Sequence, residues 1–172
     1  MSSYVETLLD TYKSKGLLVD SNLLLLYLVG SYDTSLVGDG KFNKLSKYTA
    51  EDYRLLVRLK AVFARSVTTP HVLTEVSNLT NDLPSSTRSE CLKEFAATFE
   101  EMEELMTPSL EAARRSDFHF LGLTDAALAQ WSSRFLVVTD DLRMVAKLNE
   151  SGQQALNFNH LRDYLFDELR KS

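Results

Sequence analysis

Short, continuous apolar runs alternate along this chain with longer segments of helical period. Leu17-Leu-Val-Asp20, Arg65-Ser-Val-Thr68 and Phe135-Leu-Val-Val-Thr139 are uninterrupted rather than alternating, as strands buried on both faces of a parallel sheet must be. The pattern predicts an α/β fold, a three-layer α/β/α arrangement with a mostly parallel central sheet, in a single domain over residues 1–172.

Between those strands the helical signals are specific. Ser3-Tyr-Val-Glu6 reads as a capping box opening a short amphipathic helix. Leu23 to Val29 is apolar nearly all round, which predicts a buried helix ended by Gly30. Residues 31–48 are rich in Ser, Gly, Asp and Lys, lack a clear period, and read as a long connection of the functional kind. Thr49-Ala-Glu-Asp52 caps a helix to about Ala64, and Thr69-Pro70 begins another through about Leu79. Thr87-Arg-Ser-Glu90 opens a long helix to about Met106, acidic at Glu100, Glu101, Glu103 and Glu104, after which Pro108 interrupts. Thr124 caps a helix from Asp125 to about Ser133, Leu142 to Asn149 is helical, and Gln154 to Phe158 reads as an edge strand. The spacing over residues 160–171 is that of a surface helix.

Composition narrows the class without naming a function. With 44% hydrophobic and 25% charged residues the chain is ordinary globular protein, long enough for one sizeable core. A formal charge of -5 argues against coating nucleic acid through bulk positive potential, so any polyanion must meet a local basic patch. Cys91 has no partner for a disulfide, which fits a reducing cytoplasm. The apolar stretch from Leu17 to Val29 is about 13 residues where roughly 20 are needed to span a membrane, and it contains Asp20 and Asn22. The N-terminus lacks the basic start of a secretory signal, and a cytoplasmic protein is expected.

Four acids stand where such a fold gathers them. Asp20 and Asp141 follow apolar strands, and in an open parallel sheet the carboxyl ends of the strands form the ligand edge. Glu75 lies about a turn and a half into the helix that Thr69-Pro70 begins, near the same edge, and Asp125 opens its own helix. Converging carboxylates raise one another's pKa and call for a cation; an all-oxygen donor set suits Mg²⁺ or Mn²⁺. Asp125 has an ordinary alternative, service to a helix dipole. Asp20 is harder to explain away, because an acid after Leu-Leu-Val costs several kcal/mol unless it is paired.

In order and context, these segments resemble the PIN-domain family. Leu17-Leu-Val-Asp20-Ser-Asn22-Leu-Leu-Leu is similar to the family's first acidic motif and Thr68-Thr-Pro-His-Val-Leu-Thr-Glu75-Val to its second. Leu121-Gly-Leu-Thr-Asp125-Ala-Ala-Leu is similar to the third and Val137-Val-Thr139-Asp-Asp141 to the fourth. The resemblance covers residues 17–146 and implies a PIN-like endoribonuclease of the kind that includes the VapC-like toxins. It implies that Asp20, Glu75, Asp125 and Asp141 bind one or two Mg²⁺ or Mn²⁺ ions, and that metal-activated water attacks the phosphodiester of single-stranded RNA. Thr139 would orient an acid or a water, and Asn22 and Asp140 would act as outer partners; the Thr-x-Asp spacing selects Asp141 over Asp140. Single-stranded or structured RNA, an antitoxin protein and a homodimer are the partners the resemblance implies, with the toxin of a toxin-antitoxin pair or a defence effector as the setting. The chain is longer than the small toxins of the family.

Substrate contacts are expected from Arg143, beside Asp141, and from Lys41, Lys44 and Lys47, which cluster with Arg54 and Arg58 near the long connection. The bland reading of those lysines is a solvated face. His71, His119 and His160 lie in unrelated contexts and form no triad. Two other functions compete: a catalytically silent PIN-fold scaffold or regulatory module, and a phosphatase-like hydrolase with Asp20 as nucleophile. The latter wants a second Asp two positions on, where Asn22 stands.

Overall fold

Strands in which every side chain is buried need cover on both sides, and three of the five strands here are of that kind. The computed structural model describes residues 2–38, 40 and 42–171. Among these, one sheet contains β1 (Leu17–Val19), β2 (Ser66–Thr68), β3 (Met102–Glu104), β4 (Leu136–Thr139) and β5 (Ala155–Asn157), all parallel, in the order β3-β2-β1-β4-β5. β1, β4 and β5 are buried at every position. Helices flank the sheet in a three-layer α/β/α arrangement, as the pattern predicts. The chain builds outward from β1 through β2 to β3, then returns to the other side of β1 for β4 and β5. The order therefore reverses between β1 and β4, and a crevice opens at the carboxyl ends of strands at such a switch.

The flanking helices are α1 (Ser2–Tyr12), α2 (Ser21–Tyr32), α3 (Ala50–Val62), α4 (Pro70–Leu79), α5 (Ser85–Glu100), α6 (Ser109–Ala113), α7 (Phe118–Ala129), α8 (Leu142–Glu150) and α9 (Phe158–Lys171). α2 is the helix the core closes around, with Leu23 to Leu26, Leu28 and Val29 all buried. The predicted caps at Thr49 and Thr69 hold: Thr49 and Asp52 form a reciprocal capping box, and Thr69 caps α4 with Pro70 in its first turn. Arg162 of α9 grips Asp52 through two nitrogens, at 2.6 and 2.9 Å, and ties the last helix to that cap.

Several boundaries differ from the sequence reading. α1 starts at Ser2, so Ser3 lies inside the helix rather than ahead of it. The helix predicted to reach Met106 stops at Glu100, and Met102–Glu104 forms an edge strand in register with β2. Glutamate favours helix by propensity, but an edge strand lets Glu103 and Glu104 face solvent and charge suits an edge. α7 begins earlier than expected and breaks at Gly122, where φ of 74° admits glycine most readily.

Gly30 does not end α2, which continues to Tyr32. It is small because Tyr53 of α3 lies across it: a Cβ there would stand 2.4 Å from Tyr53 Cδ2 and 2.7 Å from Cγ. Gly30→Ala would gain up to about 1 kcal/mol in helix propensity, against about 1–3 kcal/mol for an overpacked contact. The clash wins. Urea denaturation of Gly30→Ala should show net destabilisation that largely disappears in a Tyr53→Ala background; a stabilised single variant would contradict this packing.

Candidate functional site

One step past the last register pair of β1 and β4, Val19 opposite Val138, the chain reaches Asp20 and Thr139. The Thr139 hydroxyl donates to Asp20 Oδ2 across this gap, and the same oxygen accepts the Asp140 amide at 3.3 Å. Asp20 Oδ1 accepts the Leu23 amide at 2.8 Å and so caps α2. Thr139 Oγ1 in turn accepts the Asp141 amide at 2.9 Å. Asp141 Oδ1 accepts the Arg143 amide at 2.7 Å, making it the cap of α8. One hydroxyl thus joins the two strand-end acids at the switch point.

Asp20 is only 4% exposed. Burial pushes its pKa up to about 6; the bonds from Thr139, Leu23 and the Asp140 amide pull the other way, and the Asp140 charge adds to the rise. Asp125, half-buried on α7, is raised to about 7, first by burial and then by the charges of Asp20, Glu75 and Asp141, with Arg143 opposing. Four acids from four separate segments therefore share one electrostatic neighbourhood. Glu75, half-buried on α4, is reached from α2 by the Ser21 hydroxyl, which donates to its Oε2 at 3.0 Å.

Concavities flank the acids on two sides. One of about 450 Å³ is lined by Pro70, His71, Thr74, Glu75, Asn78, Leu123 and Thr124. Another, of about 370 Å³, includes Asp125, Asp141 and Arg143 in its wall.

The remaining sequence candidates fall into different places. Asp140, whose charge acts on Asp20, accepts the Tyr48 hydroxyl at Oδ2 at 2.6 Å and pairs with Lys47 through the same oxygen. Lys47 thus lies beside the site, bound to a carboxylate. Lys44 is engaged in an ion pair elsewhere on the surface. It pairs with Asp82 at 3.3 Å, past the far end of α4. That is a helix length, roughly 15 Å, from where α4 starts at the carboxyl edge. Lys41 lies outside the described residues. Arg143 is 93% exposed in its side chain and stands 3.5 Å from Asp141. Asn22 is exposed on the first turn of α2. His71 Nε2 meets Ser109 Oγ at 3.0 Å and lines the same concavity as Glu75.

Ser21 and Tyr48 were not among the sequence candidates. A serine after a capping Asp looks like ordinary helix-start chemistry, and nothing local ties Tyr48 to a residue 92 positions away.

Among the described residues, no three His, Cys, Asp or Glu side chains form a ready-made ion-binding group. The four acids lie within electrostatic rather than coordination reach of one another. In chemical kind they fit a hard divalent cation, since all donors are carboxylate oxygens and their mutual repulsion is what positive charge relieves. No protein-family model matches the chain, and no curated protein matches it.

Both raised acids have folded-state values above the ordinary 3.8, so the folded chain holds protons that the unfolded chain releases between pH 3.8 and about 7. Their contribution to stability is fully present below that window and is lost as pH rises through it. With chelator present, Asp125→Asn should therefore raise the melting temperature at pH 8 more than at pH 5, by thermal scans of variant and wild type. An equal shift at both pH values would show that Asp125 does not carry this repulsion.

Proposed function

We propose that the chain is a PIN-like endoribonuclease that uses Mg²⁺ or Mn²⁺ to cut single-stranded RNA. The observation that carries the reading is the convergence on Asp125 of the charges of Asp20, Glu75 and Asp141, each from another segment. The crevice at the strand-order switch between β1 and β4 supports it, because ligands of open α/β sheets bind there.

A bound divalent ion supplies Lewis acidity and an ionisable water at neutral pH. The chain's own residues hold and orient. A carboxylate offers about four lone-pair directions, and Asp20 accepts from Leu23, Thr139 and Asp140, so its orientation is fixed while capacity for one more partner remains. Thr139 keeps Asp20 and the start of α8 in one frame. Ser21 restrains one oxygen of Glu75 and leaves the other. Arg143, exposed beside Asp141, is placed to meet a phosphate, for which its planar fork is suited.

A toxin with an antitoxin partner, or a defence effector, is the setting this chemistry fits, and a homodimer is the assembly we propose. A reducing cytoplasm suits the free, buried Cys91. Among the described residues no helix is long and apolar enough to cross a membrane.

Purified protein incubated with single-stranded RNA and Mn²⁺ or Mg²⁺ should cut it, and chelator or Asp20→Asn should abolish the cut. Thr139→Val, which removes the orienting hydroxyl but no acid, should slow cleavage about 10–100-fold. Undiminished cleavage by Asp20→Asn would overturn the proposal. A wild-type chain that binds RNA and leaves it intact with either metal would be the silent scaffold instead.

A further inference from the structure

The concavity on the Asp141 side of the acids has an aromatic lip. Its wall of about 370 Å³ includes Phe120, Asp125, Asp141, Arg143 and Lys147, a size within the range of small-molecule pockets. Phe120 is 70% exposed, although burying a phenylalanine is worth about 1.5–3 kcal/mol. The core does not use this ring. It sits on the short turn before the break at Gly122, and the segment that carries Asp125 begins after that break.

Its surroundings are those of a platform. The His119 ring stands 4.1 Å away at a 43° tilt, and Lys147 Nζ lies 4.9 Å from the Phe120 centroid. Lys147 is also held by Glu150 at 2.8 Å, so it braces the ring more than it offers a free charge. Arg143 differs: its side chain is 93% exposed and its contact with Asp141 is a loose 3.5 Å. An open ring, a largely exposed guanidinium and the acids Asp125 and Asp141 thus share one concavity. Phe95 and Phe135 are buried and the Trp131 indole donates to Thr107 at 2.7 Å, so these three rings are not open in this way.

We infer that Phe120 is a stacking platform for one unpaired base of the RNA strand, with Arg143 taking the neighbouring phosphate. This deepens the ribonuclease reading and rests on it. Stacking needs an open base face, which a duplex does not offer, so the platform selects single strands without reading their sequence. A protein partner would cover the same ring; the wall also holds Glu150, Leu121 and Met144, so the choice of RNA rests on the ribonuclease reading and on the exposed Arg143 guanidinium rather than on the charge of the wall as a whole.

The test is the anisotropy of a fluorescein-labelled single-stranded RNA titrated with protein in Ca²⁺ instead of Mg²⁺, the RNA being checked intact on a gel. Phe120→Ala should weaken binding about tenfold, while Phe120→Trp retains it, and the added indole should be quenched by RNA. Because the ring is exposed, loss of fold is not the expected result, and circular dichroism checks it. Wild-type binding and cleavage with unchanged affinity in Phe120→Ala would overturn this inference alone. Unchanged RNA affinity with a lost self-association in sedimentation would assign the ring to a protein contact and overturn it equally. A wild-type chain that neither binds nor cuts RNA would remove the ribonuclease reading and this one together.

Discussion

The hydrogen bond from Thr139 to Asp20 joins the ends of the two strands between which the sheet changes direction. Asp20 is buried, and taking an ionised carboxylate out of water is costly unless donors replace the water. Three donors do so, yet its pKa remains raised to about 6, so the compensation is incomplete. The same carboxylate caps α2, and the fold cannot relieve the acid by moving it without uncapping its central helix. Asp125 then feels this charge together with Glu75 and Asp141, and its pKa is raised to about 7.

A second set of contacts fixes the wall behind that pair. Tyr48 and Lys47 both reach Asp140, while the Asp140 amide serves Asp20. The long connection, which contains short helical turns at Thr34–Leu36 and Asn43–Leu45, buries Phe42, Leu45 and Tyr48. Two of its lysines are paired with acids, Lys47 with Asp140 and Lys44 with Asp82. Charge that looked available in the sequence is used locally.

What could be read in advance follows from how far each signal reaches along the chain. The strands Leu17–Val19 and Leu136–Thr139 were legible because burial on both faces leaves continuous apolar runs, and the caps at Thr49 and Thr69 because their partners lie within one turn. Asp20 and Asp141 were legible as strand-end residues, and Glu75 and Asp125 from their places in predicted helices. β3 was not, since its identity as a strand comes from pairing with Ser66 to Thr68, which overrides the helical preference of a glutamate run. Gly30 was misread because the ring that requires it, Tyr53, arrives from another helix. Ser21, Tyr48 and Phe120 escaped for the same reason: each owes its place to neighbours that only the folded chain supplies, or to their absence around an exposed ring.

Carboxyl-carbon NMR of the isotopically labelled protein, titrated with pH and then with trace Mn²⁺, examines the shared electrostatic neighbourhood without any substrate. The account predicts that the Asp20 and Asp125 signals titrate near 6 and 7, and that the paramagnetic ion broadens Asp20, Glu75, Asp125 and Asp141 together, ahead of Glu103 and Glu104 on the edge strand. Ordinary carboxylate titration of Asp20 and Asp125, with Mn²⁺ broadening the edge-strand glutamates first, would contradict it.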